Sequence, residues 1–113
     1  VSTAEDPLGT DELDGAQQLE AEQHRVDRDR EIADLKWLMG HEEGRRIAWG
    51  LLGRAGVFRT SFSPDGLQMA FNEGNRNLGV YLLAEINEHC PRRYMEMIKE
   101  QKENGHRSKR AAN

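Results

Sequence analysis

The sequence predicts an all-α fold: a small three- to four-helix assembly with a flexible acidic N-terminal arm and a basic C-terminal tail. Three observations predict it. Residues 17–39 hold no glycine or proline and many strong helix formers. Residues 64–90 carry apolar or small side chains at steps of three and four, the mark of one helix face. No stretch alternates apolar and polar residues as a half-buried strand does.

Taken in order, residues 1–16 are acidic, rich in small residues and without a periodic apolar stripe, and they read as the flexible arm. A helical domain follows over 17–104, with helices expected at about 17–39, 42–55, 64–90 and 91–104. In the first, Leu19, Val26 and Ala33 are spaced by seven, and Ile32, Leu35 and Met39 add apolar groups at its end. Its early turns are almost wholly polar, so it needs its last turns packed against something. Gly40 breaks the pattern, and Glu42 and Glu43 open a second helix with acids at its positive end. Ile47, Leu51 and Ala55 share a face there, and Gly56 is placed to stop the helix in a left-handed conformation. The connection offers Val57, Phe58 and Phe62 to the core. Ser63 then caps a third helix with Pro64 at its first position. Pro91 interrupts that helix after Cys90 and starts a fourth, which Gly105 is expected to end. Residues 105–113 form the basic tail.

The third helix carries the sharpest question. Its stripe is Leu67, Phe71, Gly74, Leu78, Leu82, Ile86 and His89. Gly74 and Gly79, with four residues between them, also make the first half of a phosphate-binding loop. Such a loop needs Lys and then Ser or Thr after its second glycine, and it lies between a strand and a helix. Val80 and Tyr81 follow Gly79, and the stretch reads as helix interior. The glycines are better read as packing sites. Gly50, Gly53 and Gly74, with Leu78 and Leu82, are expected where two helices approach closely.

Glu73 and Arg76 are either a solvated pair or part of a polar network in which Glu73 meets Arg45 or Arg46. Trp37, Trp49, Phe58 and Phe62 are candidates for core anchors or an interface. Arg92, Arg93, Lys99, Lys102, Arg107, Lys109 and Arg110 are candidates for phosphate contact, although Glu96, Glu100 and Glu103 interrupt them.

No catalytic constellation, cofactor motif or metal-ligand spacing is read from the chain. His89 beside Cys90 is the nearest thing to a ligand cluster, and adjacent helical residues point apart. The one cysteine permits no internal disulfide and fits a reducing compartment. No apolar run is long enough to span a bilayer, and the first residues lack the pattern of a signal peptide. Charge is uneven: residues 1–34 hold eleven acids against three arginines, while residues 35–113 hold thirteen basic residues against nine acids. An acidic arm on a basic body suggests electrostatic contact between copies or with another charged surface.

Four blocks add a resemblance. "DLKWLM", "GRRIAWGLLGRAGVFRTSF", "AFNEGNRNLGVYLLAEI" and "CPRRYMEMIKE" resemble, in this order and spacing, a family of small tailed-phage proteins of the podovirus type, first noted in a Bordetella phage. The resemblance covers Asp34 to Glu100 and leaves residues 1–30 outside it. It implies a virion or head-assembly component, made in the host cytoplasm, and no catalytic or cofactor residues. The partners it implies are other copies of the chain and other virion proteins, such as a portal, tail adaptor or capsid protein. The competing expectation is a DNA-binding accessory or ejected protein that uses the basic C-terminal residues. The −8 arm counts against that reading, since it repels DNA.

Overall fold

The computed structural model describes residues 10–112. They form four helices: α1 (Thr10–Met39), α2 (Glu42–Ala55), α3 (Gly66–His89) and α4 (Pro91–Ala112). Among the described residues there is no strand. The fold is all-α, as the sequence predicts.

The chain divides into two compact units, Val1–Ala33 and Asp34–Asn113. In the first, the described residues are helical from Thr10 onward. The helix begins seven residues before the expected start at 17. Glu12 and Asp14 favour this, because acids in the first turns face the positive end of the helix dipole. Residues 1–9 of the expected arm lie outside the described residues. Further along, Arg25 pairs with Glu22, Arg28 with Glu31, and Gln23 with Asp27, all across one turn of the helix. Pairs of this kind add a few tenths of a kcal/mol each. Leu13, Leu19 and Val26 are exposed.

The second unit holds the core. Helices α2, α3 and α4 pack pairwise on one another. Met39, Ala48, Leu52, Val57, Ile86, Cys90 and Met97 are buried together. Leu35, Trp49, Ala55, Leu82, Leu83 and Tyr94 cover that cluster. Burial pushes the Cys90 thiol up from its ordinary value, so the group stays protonated.

Local chemistry explains most of the helix ends. Gly56 has φ 76°, left-handed, and is the only described residue of that kind. The Gly56 N–H donates to Gly53 O at 3.1 Å and the Val57 N–H to Leu52 O at 3.3 Å. That is a Schellman ending, and Val57 and Leu52 supply its hydrophobic contact, both buried. The start of α3 differs from expectation. Asp65, not Ser63, is the cap: its Oδ1 accepts from Leu67 N at 3.0 Å and Gln68 N at 3.5 Å. Ser63 Oγ accepts instead from Asp65 N, and Pro64 lies before the helix. A carboxylate is the stronger acceptor for helix-end N–H groups. At the other end, Pro91 is the first residue of α4, where its missing N–H costs nothing.

Gly105 does not stop α4, which continues to Ala112. Gly105 does not take the left-handed conformation of Gly56, and a glycine inside a helix costs only about 1 kcal/mol. The expected tail is therefore helical through residue 112.

The expected glycine contacts are corrected. A Cβ built on Gly50, Gly53 or Gly74 would meet nothing within 4 Å. The close approaches are elsewhere. A Cβ on Gly44 would lie 1.8 Å from Leu38 O, and one on Gly79 would lie 2.4 Å from Val57 Cγ2. Within the stripe, Leu67, Phe71 and Leu78 are exposed, and Leu82 and Ile86 face the core. Each step of four residues advances about 40° around a helix, since residues are 100° apart. The run of fours therefore drifts off the packing face, which is held by Gly79, Leu83, Ile86 and Cys90. Gly74→Ala should accordingly raise stability by up to about 1 kcal/mol, because alanine is the better helix former at an open site. Thermal melting followed by circular dichroism reads this; a lowered melting temperature would restore the packing role of Gly74.

Candidate functional site

The end of α2, the connection and the middle of α3 frame two adjoining depressions. Gly56 makes this possible by turning the chain back along α3. The first is a polar cavity of about 160 Å³. Arg54, Arg59 and Arg76 line it with Thr60, Ser61, Asn72 and Asn75. No acid is among its lining residues. Arg59 Nη2 donates to Gly53 O at 3.1 Å, and Asn72 Nδ2 donates to Ser61 O at 3.4 Å. Beside the cavity, the Ser61 hydroxyl is hydrogen-bonded to the Glu73 carboxylate.

The second is an apolar groove of about 580 Å³. Leu51, Ala55, Leu78, Gly79, Tyr81 and Leu82 line it, with Arg54 and Asn75. Arg54, Ala55 and Asn75 belong to both depressions, so the two are continuous. Leu78 is 71% exposed, and Leu51 and Tyr81 are half exposed. The groove exists because the drifting stripe of α3 leaves Leu78 beside Leu51 instead of in the core, while Gly79 keeps the two backbones close.

A third feature is a buried charge. Arg45 is 9% exposed. Its Nε reaches Glu100 Oε1 at 2.5 Å, Nη2 reaches Glu100 Oε2 at 3.2 Å, and Nη1 donates to Met39 O at 2.9 Å. Glu96 Oε2 lies 3.5 Å from Nη1. The hydrogen bond to Glu100 raises the Arg45 pKa above its ordinary value, against the opposing effect of burial. The guanidinium therefore ties the end of α1 and the start of α2 to α4.

This corrects the expected network. Arg45 meets Glu100 and Glu96, not Glu73. Arg46 pairs within its own helix, with Glu42 and Glu43. Glu73 bonds Ser61, and Arg76 faces the polar cavity. Sequence alone shows that Arg45 lies two residues before the apolar Ile47, but not which of nine acids in residues 35–113 the fold brings to it.

The aromatic candidates separate. Trp49 packs on the core and lies 5.4 Å from the Phe58 ring, centroid to centroid. Trp37 is exposed, 4.7 Å from the His41 ring. Val57 enters the core as expected, but Phe58 and Phe62 stay exposed. Among the basic candidates, Arg93 pairs with Glu96 at 3.0 Å, and Arg92, Lys99, Lys102, Arg107 and Lys109 are exposed along α4. The Arg110 side chain lies outside the described residues. His89 pairs with Glu85 at 3.2 Å. Among the described residues no group of three or more histidines, cysteines or acids is placed to hold a metal, and no helix is long and apolar enough to cross a membrane.

A comparison with known families gives one match. The family described as Bbp19-like phage protein matches residues 35–99, more than half of the chain. The chain belongs to that family. No curated protein and no solved structure matches it. The matched residues of this Bbp19-like protein take in α2, α3 and the first turns of α4, so both depressions lie inside the family region. The acidic segment of α1 before Leu35 lies outside it. The chain is thus an all-α phage protein, and the resemblance read from its four blocks is the same family.

Proposed function

We propose that this protein is a structural or assembly component of a tailed-phage particle, carried in the virion, that binds copies of itself and the portal or head–tail region. It is a non-catalytic building block. The observation that carries this reading is the apolar groove between α2 and α3. A small body with a thin supply of apolar residues leaves Leu51, Leu78 and Tyr81 at its surface, where water contact is unfavourable. Covering them with another subunit recovers that free energy. In a symmetric particle one such contact repeats many times, so a weak patch suffices.

Leu78→Asp tests it. Leu78 is too exposed to matter to the fold, so melting should stay at the wild-type value. Burying a leucine contributes roughly 1.5–3 kcal/mol, so association should weaken about 10- to 100-fold. Size-exclusion chromatography with light scattering, with and without the portal protein, reads the loss. Mass spectrometry of purified particles reads the location. A wild-type chain that stays monomeric alone and with portal, or is missing from mature particles, would overturn the proposal.

A further inference from the structure

The polar cavity has a charge that its own chain does not balance. Arg54, Arg59 and Arg76 surround about 160 Å³ with no acid in the lining. None of the three has an ion-pair partner among the described residues. Arg59 is partly used, since it caps the Gly53 carbonyl at the end of α2. A helix C-terminus is equivalent to about half an elementary negative charge. That does not offset three guanidinium groups. Glu73 is the nearest acid along α3, and its carboxylate is engaged with Ser61. Three forked donors facing one small space suit an oxyanion, and arginine suits a carboxylate in two-pronged geometry.

The opposite imbalance sits in residues 10–33. They hold eight acids against three arginines. Glu12, Asp14 and Glu20 have no ion-pair partner among the described residues. Leu19 and Val26 are exposed. Glu12, Leu19 and Val26 recur at every seventh position, so they share one helix face. That face offers a carboxylate followed by apolar side chains. The body offers an arginine cavity running into an apolar groove.

We propose that the two fit each other between copies: the acidic segment of one copy docks on a second copy, a carboxylate entering the Arg54–Arg59–Arg76 cavity and Leu19 entering the groove beside Leu78. This rests on the self-association proposed above and names the partner segment. The occupant is protein and not nucleic acid, because the anion site opens into an apolar groove and because the acidic segment repels phosphates. Because the segment and the cavity are different surfaces, the contact closes as a reciprocal dimer or, unreciprocated, as a ring or chain of subunits.

The test is a charge exchange in the full-length protein, with mass read by light scattering at rising salt. Wild-type assemblies should dissociate as salt screens the contact. Arg54→Glu with Arg76→Glu should weaken association at least tenfold with unchanged melting. Glu12→Arg with Asp14→Arg and Glu20→Arg should do the same. Putting all five substitutions in one chain should restore the mass. If the five-fold variant stays dissociated, the docking proposal falls. If Leu78→Asp dissociates the protein while Arg54→Glu with Arg76→Glu does not, self-association stands and the acidic-segment contact falls. Duplex DNA binding that requires Arg54 and Arg76, with the mass unaffected by their exchange, would overturn it in favour of a phosphate ligand.

Discussion

Gly44→Ala is expected to lower the melting temperature by more than about 10 °C. The added Cβ would sit 1.8 Å from Leu38 O and 2.7 Å from Leu38 C. Both are backbone atoms, so no side-chain rotation relieves the overlap. The corner between α1 and α2 would have to open. Overpacking of well-fitted interiors costs about 1–3 kcal/mol, and a backbone clash belongs at or above the upper end. Each kcal/mol shifts melting by about 4–8 °C in a domain of this size. Helix propensity works the other way, favouring alanine by about 1 kcal/mol, so the steric term must exceed it. Circular dichroism melts of Gly44→Ala beside Gly74→Ala separate the two effects, since the same substitution should destabilise one site and stabilise the other. Equal melting of the two variants would show that the corner is not tightly packed.

Arg45→Met is expected to cost about 2–4 kcal/mol in urea unfolding. Breaking a buried pair by removing one partner costs about 3–5 kcal/mol; here Glu100 and Glu96 are partly exposed, so water recovers some of it. Methionine fills much of the arginine stem's volume but offers no donor to Met39 O. Glu100→Gln should cost less, because Arg45 keeps the Met39 carbonyl and Glu96. The double variant should cost less than the sum of the two, which is the signature of direct coupling. The sign with pH follows from the raised Arg45 pKa: the stabilisation is whole below the ordinary arginine value and is lost only as pH rises through the folded one. Additive single costs would show that the pair is not coupled.

These two sites show where sequence reading stops. Gly56 was legible because a left-handed stop is a local property of glycine after a helix. Pro91 was legible for the same reason. Gly44 was not, since only the return of the chain past Leu38 makes a side chain there impossible. Gly74 looked like a packing glycine because it lay on a run of apolar fours. The run drifts around the helix, and the packed glycine is Gly79, whose neighbours Ala55 and Val57 flank the Gly56 turn. Of the candidate site, Leu51, Arg76, Leu78 and Leu82 are legible as face or network residues, but Arg54 and Arg59 join them only where α2 and the connection meet α3. The acid that meets Arg45 is not legible, because charge alone does not choose among many carboxylates.

By itself the sequence determined the helical class, the break at Gly40, the left-handed stop at Gly56, the restart at Pro91 and the family. The first four depend on composition or on groups within a few residues of each other, and the family on the order and spacing of four blocks between Asp34 and Glu100. Only the tertiary structure decided which glycines admit no side chain, which acid holds Arg45, and which apolar residues remain uncovered. Those outcomes are fixed by distances between segments far apart in the chain, and periodicity carries no record of them.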